Sequence, residues 1–179
     1  MRYTITVPSP IDPLTLVSDG EALLAVKMVG QRFENFGLDM QDDEDDGSRI
    51  DVLKRASEWL ATYFDGKDPG ALPACRPQGS AFQRRVWDLL CEIPYGELTT
   101  YGELARKMAR YSASGKMSAQ AVGGAVGHNP IGIIIPCHRV MGASNKVTGY
   151  GGGVHRKVFL LELEGIDTSA FVMPAHDTI

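Results

Sequence analysis

Cysteine is scarce in this chain and comes late. There are three, Cys75, Cys91 and Cys137, and no histidine precedes His128. An odd set with no close pair indicates neither a disulfide framework nor a zinc knuckle, so no metal and no cofactor is expected. No apolar run approaches the ~20 residues of a membrane-spanning helix. The N-terminus also lacks the charged start and long apolar stretch of a signal peptide. A reducing cytoplasm is therefore the expected compartment, one that keeps a reactive thiol available. Acidic charge is short in one place only. Residues 1–78 hold 8 Lys and Arg against 14 Asp and Glu, whereas residues 79–165 hold 10 against 6. A partner bearing phosphates would meet the second segment. With 44% apolar and 22% charged residues over 179 positions, the rest is ordinary for a globular protein of one domain or two small ones.

Periodicity sets out two halves. Tyr3, Ile5 and Val7 alternate as a strand, Leu14 to Val17 reads as a second and Ala22 to Val29 as a third, with turns at Pro8-Ser9-Pro10 and Ser18-Asp19-Gly20. This predicts an antiparallel meander. Met40 to Gly47, with five acidic residues, reads as a solvated loop. Ser48 to Phe64 has helical spacing and stops at Asp65-Gly66. The prolines and glycines of 66–79 read as a linker. Beyond it, Ser80 with Gln83 and Thr100 with Glu103 are capping boxes that open two helices. Ser118 starts a third, short helix through Ala121, Val122, Ala125 and Val126, and Val154 to Glu164 forms a last one before Gly165. The expected class is α+β, with a structural domain over 1–75, a second domain over 76–168 that carries the basic bias, and a tail over 169–179. Three helices, a strand and a return suggest a winged helix-turn-helix among several possibilities.

Chemistry concentrates at Gly132-Ile133-Ile134-Ile135-Pro136-Cys137-His138-Arg139-Val140. The isoleucines read as a short buried strand that Pro136 ends, presenting a thiol beside an imidazole. Thiolate is the nucleophilic form of cysteine, and a free thiol is mostly protonated near neutrality. His138 could serve as the base, with Arg139 adding positive potential. Neighbours on a strand point to opposite faces, so the pair cooperates only if the chain turns or a water bridges it. The alternative is a buried cysteine next to a surface histidine. Glu164, in the last turn of its helix, is either an exposed glutamate tolerating the macrodipole or a carboxylate that orients the imidazole.

Ile-Pro-Cys-His-Arg-Val at 135–140, Ala-Val-Gly-Gly-Ala at 121–125 with Asn129-Pro130, and Thr148-Gly149-Tyr150-Gly151-Gly152-Gly153 resemble the O6-alkylguanine–DNA alkyltransferases. The resemblance covers roughly 79–165 closely and the first half more faintly. It implies an RNase H-like first domain and a winged helix-turn-helix second domain. It also implies transfer of an alkyl group from O6-alkylguanine, or O4-alkylthymine, in flipped-out duplex DNA to Cys137, once per molecule. By the same resemblance His138 and Glu164 form a relay with Cys137, Asn129 shapes the turn, and Tyr101 contacts the target nucleotide. Tyr150 walls the base, and backbone groups of Val140 and Gly151 hold its edge. Where many relatives have a serine after the tyrosine, Gly151 leaves only a backbone N–H. The N-terminal zinc site of some relatives has no ligands here.

The third helix, opened by Ser118, offers few base-reading side chains. Ala121 and Gly123 suit close approach to a sugar-phosphate wall. Gln120 stands where relatives commonly carry the arginine that fills the gap left by the extruded base. Glutamine can hydrogen-bond the orphan cytosine but brings no charge. The expected partner is duplex DNA containing alkylated guanine, bound by a monomer. Two other readings compete. A lesion-binding protein without transfer would lack the cysteine, and a winged-helix regulator would carry more Arg, Asn or Gln on its recognition helix.

Overall fold

The computed structural model describes residues 1–31 and 44–175. The chain divides into two compact units, residues 1–78 with 130–134, and residues 79–129 with 135–179. In the first unit β1 (Arg2–Val7), β2 (Leu14–Ser18) and β3 (Leu23–Met28) form the expected antiparallel meander, with Ile5 opposite Leu16 and Leu16 opposite Val26. A fourth strand, β4 (Glu44–Asp46), pairs in parallel with β1, giving the order β3-β2-β1-β4. That corrects the expectation of a loop at these residues, while 40–43 lie outside the described residues. Pairing here is made by the backbone. A 3-10 turn at Gly47–Arg49 then leads into α1 (Asp51–Phe64). Gly47 is required: a Cβ there would lie 2.3 Å from Leu53 Cδ1 and 2.9 Å from the Thr4 carbonyl oxygen. The α1 stripe Val52, Leu53, Ala56, Trp59, Leu60 and Tyr63 is buried, at the spacing of one helix face.

In the second unit α2 (Ala81–Cys91), α3 (Tyr101–Ala109) and α4 (Ala119–Gly127) pack on one another. Both capping boxes form, and the Ser118 hydroxyl accepts from Ala121 N. Trp87 Nε1 donates to the Ala125 carbonyl at 2.9 Å, fixing α2 against α4. Two short strands, β5 (Thr99–Thr100) and β6 (Val140–Met141), pair in parallel, and α5 (Val154–Leu163) follows. The expected tail is partly incorporated. Val147 N donates to Val172 O, Val172 N to Asn145 O, and Phe171 packs on the cluster of Met141, Val147, Val154 and Leu161. Among the described residues no helix is long and apolar enough to cross a membrane.

The isoleucine run is not a strand. Ile134 N donates to Gly132 O at 2.9 Å across Ile133, whose φ is 71°. This is the rarer, positive-φ kind of γ-turn, costly for a β-branched residue and of order 1–3 kcal/mol. The run is apolar because it is buried, Ile131, Ile133, Ile134 and Ile135 being at most 2% exposed.

Candidate active site

A second γ-turn delivers the thiol. Pro136 has φ −81° and ψ 63°, and Cys137 N donates to Ile135 O at 2.8 Å, the geometry of the inverse γ-turn. Residues Cys137–Arg139 then make one 3-10 turn. Turning so tightly, the chain escapes the alternation of a strand. Asn129, just beyond α4, holds this corner: its Nδ2 donates to Ile135 O at 2.8 Å and to Cys137 Sγ at 3.2 Å. The thiol is 8% exposed. Burial pushes its pKa up, opposed by the Asn129 N–H and the Lys157 charge.

Behind the thiol lies a buried charge cluster centred on Glu164, which caps α5. Its Oε1 accepts from His138 Nε2 at 2.6 Å and from Arg139 Nη2 at 3.2 Å; its Oε2 accepts from Arg139 Nε at 2.8 Å and Gly96 N at 3.0 Å. Burial works to raise the Glu164 pKa, yet the hydrogen bonds from His138 and Arg139 and the positive charge of the guanidinium outweigh it and hold the carboxyl at about 2. An ionised carboxylate only accepts, so His138 Nε2 carries the ring proton and Nδ1 is the basic nitrogen. Burial lowers the His138 pKa against the pull of Glu164. The imidazole is accordingly held neutral, in the tautomer suited to a base.

Three side chains close the surroundings of the sulfur. Tyr150, 5% exposed, has its hydroxyl pKa raised well above normal by burial and by the Cys137 charge. Tyr101 opens α3, and its hydroxyl accepts from Thr148 Oγ1 at 3.0 Å. Lys157, 1% exposed, donates from Nζ to the Val140 carbonyl. Burial lowers its pKa to about 8, against the Cys137 charge. No cluster of three or more His, Cys, Asp or Glu able to hold a metal occurs among the described residues.

A family model described as the DNA-binding domain of 6-O-methylguanine DNA methyltransferase matches residues 81–166. A methylated-DNA–protein-cysteine methyltransferase of Mycobacterium bovis is 44% identical over 164 residues, covering 92% of this chain and 93% of the relative. One from Haemophilus influenzae is 40% identical over 166 residues, covering 92% and 87%. The chain belongs to the methylated-DNA–protein-cysteine methyltransferase family. The fold agrees: the crystal structure of Mycobacterium tuberculosis OGT in complex with DNA superposes with a TM-score of 0.75 at 41% identity, covering 97% of this chain and 96% of that one.

Within this methyltransferase the residues expected around the chemistry divide into three places. Cys137, His138, Glu164, Asn129, Tyr101 and Tyr150 belong to the second unit and surround the Cys137 turn or its supporting cluster. Ser118, Gln120 and Ala121 are exposed at the start of α4, and Gly123 lies one turn further, facing the Tyr101 ring, where a Cβ would sit 3.6 Å from it. The side chains of Arg139 and Val140 are buried. Arg139 is 6% exposed and its donors go to Glu164 and, at 2.7 Å from Nη1, to Ile93 O. Val140 is fully buried in β6. Gly151 is half-buried beside the Gly127 carbonyl, 3.7 Å from where a Cβ would stand. Lys157 is the residue that the sequence reading passed over. Its signal is a lysine between Val154 and Leu161, at helical spacing on the buried face of α5.

Proposed function

We propose that the protein repairs alkylated DNA by direct reversal, taking a methyl or other alkyl group from O6 of guanine onto Cys137. The observation that carries this reading is the oriented set of Cys137, His138 and Glu164 in a chain of this family. The second unit binds duplex DNA, a reading supported by the relative whose crystal structure is in complex with DNA, and the alkylated base leaves the stack to reach the buried sulfur. His138 Nδ1 takes the thiol proton, through a water, while Glu164 and Arg139 keep the ring oriented. Sulfur then attacks the alkyl carbon, forming a C–S bond as the C–O6 bond breaks, and the electron pair leaves with guanine. Tyr101 hydrogen-bonds the departing base as it is reprotonated. Burial favours the neutral thiol at rest, so deprotonation belongs to the encounter with substrate. Lys157 and the Asn129 N–H then stabilise the developing thiolate.

The fold proposal follows the same line. Helices α2 to α4 with the β5–β6 ladder act as a winged helix-turn-helix, with α4 laid against the DNA. The β3-β2-β1-β4 sheet with α1 is an RNase H-like structural domain. The division at about residue 75 and a monomeric, cytoplasmic protein complete the reading. A winged-helix regulator is disfavoured by α4 itself, whose first-turn residues Ala119, Gln120 and Ala121 offer one base-reading side chain.

The product is a thioether with no second nucleophile to cleave it. Titrating the protein with methylguanine-containing duplex should therefore consume lesions up to one per chain and then stop; continued turnover would contradict the reading. A second expectation concerns extrusion. Because Gln120 is exposed at the start of α4 and uncharged, Gln120→Arg should tighten duplex binding and speed repair by roughly tenfold, the scale of one added charge-assisted contact. Unchanged affinity and rate would show that position 120 is not in the gap.

A further inference from the structure

Between Leu104 and Leu161 the chain holds eight Lys and Arg and no Asp or Glu. Most of these cations are committed. Arg139, Arg156 and Lys157 are buried, and Arg106 and Lys107 pair with Glu103 at 4.0 Å and Glu92 at 3.5 Å. Arg110, Lys116 and Lys146 are exposed and make no ion pair among the described residues. The first two lie on the connection from α3 to α4.

That connection is long. A helix-turn-helix joins its two helices by 3–4 residues, whereas here nine residues, 110–118, separate Ala109 from Ala119. The extra length is folded. Tyr111 N donates to Met108 O at 3.0 Å, Ser112 N to Ala109 O at 3.1 Å, and Gly115 N to Ser112 O at 3.0 Å. Gly115 takes φ +64° to close the turn, with nothing near its missing Cβ. The Arg85 guanidinium of α2 lies 4.0 Å from the centre of the Tyr111 ring, a cation–π contact that ties the connection to the first helix of the set. Tyr111 keeps 57% of its surface exposed. Lys116 stands two residues before Ser118, the cap of α4.

An ordered, acid-free, cationic projection at the leading end of the helix laid on DNA is a phosphate-binding element by its charge and place. We propose that the α3–α4 connection is a second DNA-backbone contact, in which Arg110 and Lys116 neutralise phosphates beside the site of α4. It supplies, away from the base gap, positive charge that Gln120 does not. The inference rests on the reading of α4 as the DNA-facing helix. The contact is to phosphate, so it adds affinity without sequence preference, as suits repair of lesions scattered through a genome.

The test is binding of an undamaged duplex by fluorescence anisotropy over a salt series, which needs no alkyl transfer. For the Arg110→Gln/Lys116→Gln double variant, the slope of log affinity against log salt should become shallower by about two, at 0.9 per phosphate. The ratio of wild-type to variant affinity should then grow roughly tenfold as salt is lowered from about 200 to about 50 mM. Lys54→Gln, an exposed lysine on α1 of the other unit, should leave the slope unchanged. Arg110→Lys/Lys116→Arg should retain the wild-type slope, which separates charge from any loss of fold. An unchanged slope in the double variant, or one no shallower than in Lys54→Gln, would overturn the proposal while leaving DNA binding intact. A wild-type protein that fails to bind duplex at all would overturn the underlying reading with it.

Discussion

Cys137→Ser should remove alkyl transfer to below detection while leaving duplex binding within about twofold of wild type. The substitution replaces a sulfur whose proton a neutral imidazole can take with a hydroxyl that this base cannot usefully ionise. Folding should hardly change. The site is 8% exposed, and Asn129 Nδ2, now 3.2 Å from the sulfur, can donate to the hydroxyl oxygen instead. The expected stability change is therefore no more than about 1–2 kcal/mol. Repair kinetics, thermal unfolding and duplex affinity measured on the same preparation separate these statements. A variant that still clears methylguanine from DNA would show that another residue accepts the group.

Glu164→Gln should act on stability and on rate together. In the folded protein the carboxylate accepts from His138, twice from Arg139, and from Gly96 N. An amide of the same shape returns at most part of this and leaves the Arg139 guanidinium buried with its charge uncompensated. Breaking one partner of such a buried pair costs roughly 3–5 kcal/mol. The pH dependence has a definite sign. The folded Glu164 pKa is about 2 against an ordinary 4.5. Its stabilising contribution is thus full above about pH 4.5 and lost as pH falls towards 2. Denaturant unfolding should show a wide gap between wild type and variant at pH 7 that narrows below pH 4.5; a gap independent of pH would contradict the assignment. The rate should fall roughly 10²–10⁴-fold, the scale of losing a group that fixes a catalytic histidine tautomer.

How far these conclusions were legible in the sequence depends on what each rested on. Both capping boxes and the helical stripes are local patterns, and they appear where the spacing puts them. The Cys-His pair was legible as a candidate from its residues, but its link to the distant glutamate only through resemblance, because nothing in spacing tells that Glu164 returns to His138. The path of the chain between Gly132 and Cys137 was not legible. An apolar run of isoleucines looks like a strand whether it is paired or merely buried, and the γ-turn at Ile133 sets a β-branched residue at a φ that propensity disfavours. Arg139 misled for a related reason. A cation beside a reactive thiol reads as surface potential, yet tertiary pairing with Glu164 draws it inward. Val140 is buried in β6, and its carbonyl accepts from Lys157. Strand β4 and the docking of Phe171 and Val172 are long-range pairings that no local pattern announces.

The most direct measurement is the mass of the peptides after reaction with a duplex containing O6-methylguanine. The peptide bearing Cys137 should be heavier by one methylene group, in an amount equal to the guanine restored, with the Cys75 and Cys91 peptides unchanged. A methyl group on any other residue, or restored guanine with no modified peptide, would contradict the account.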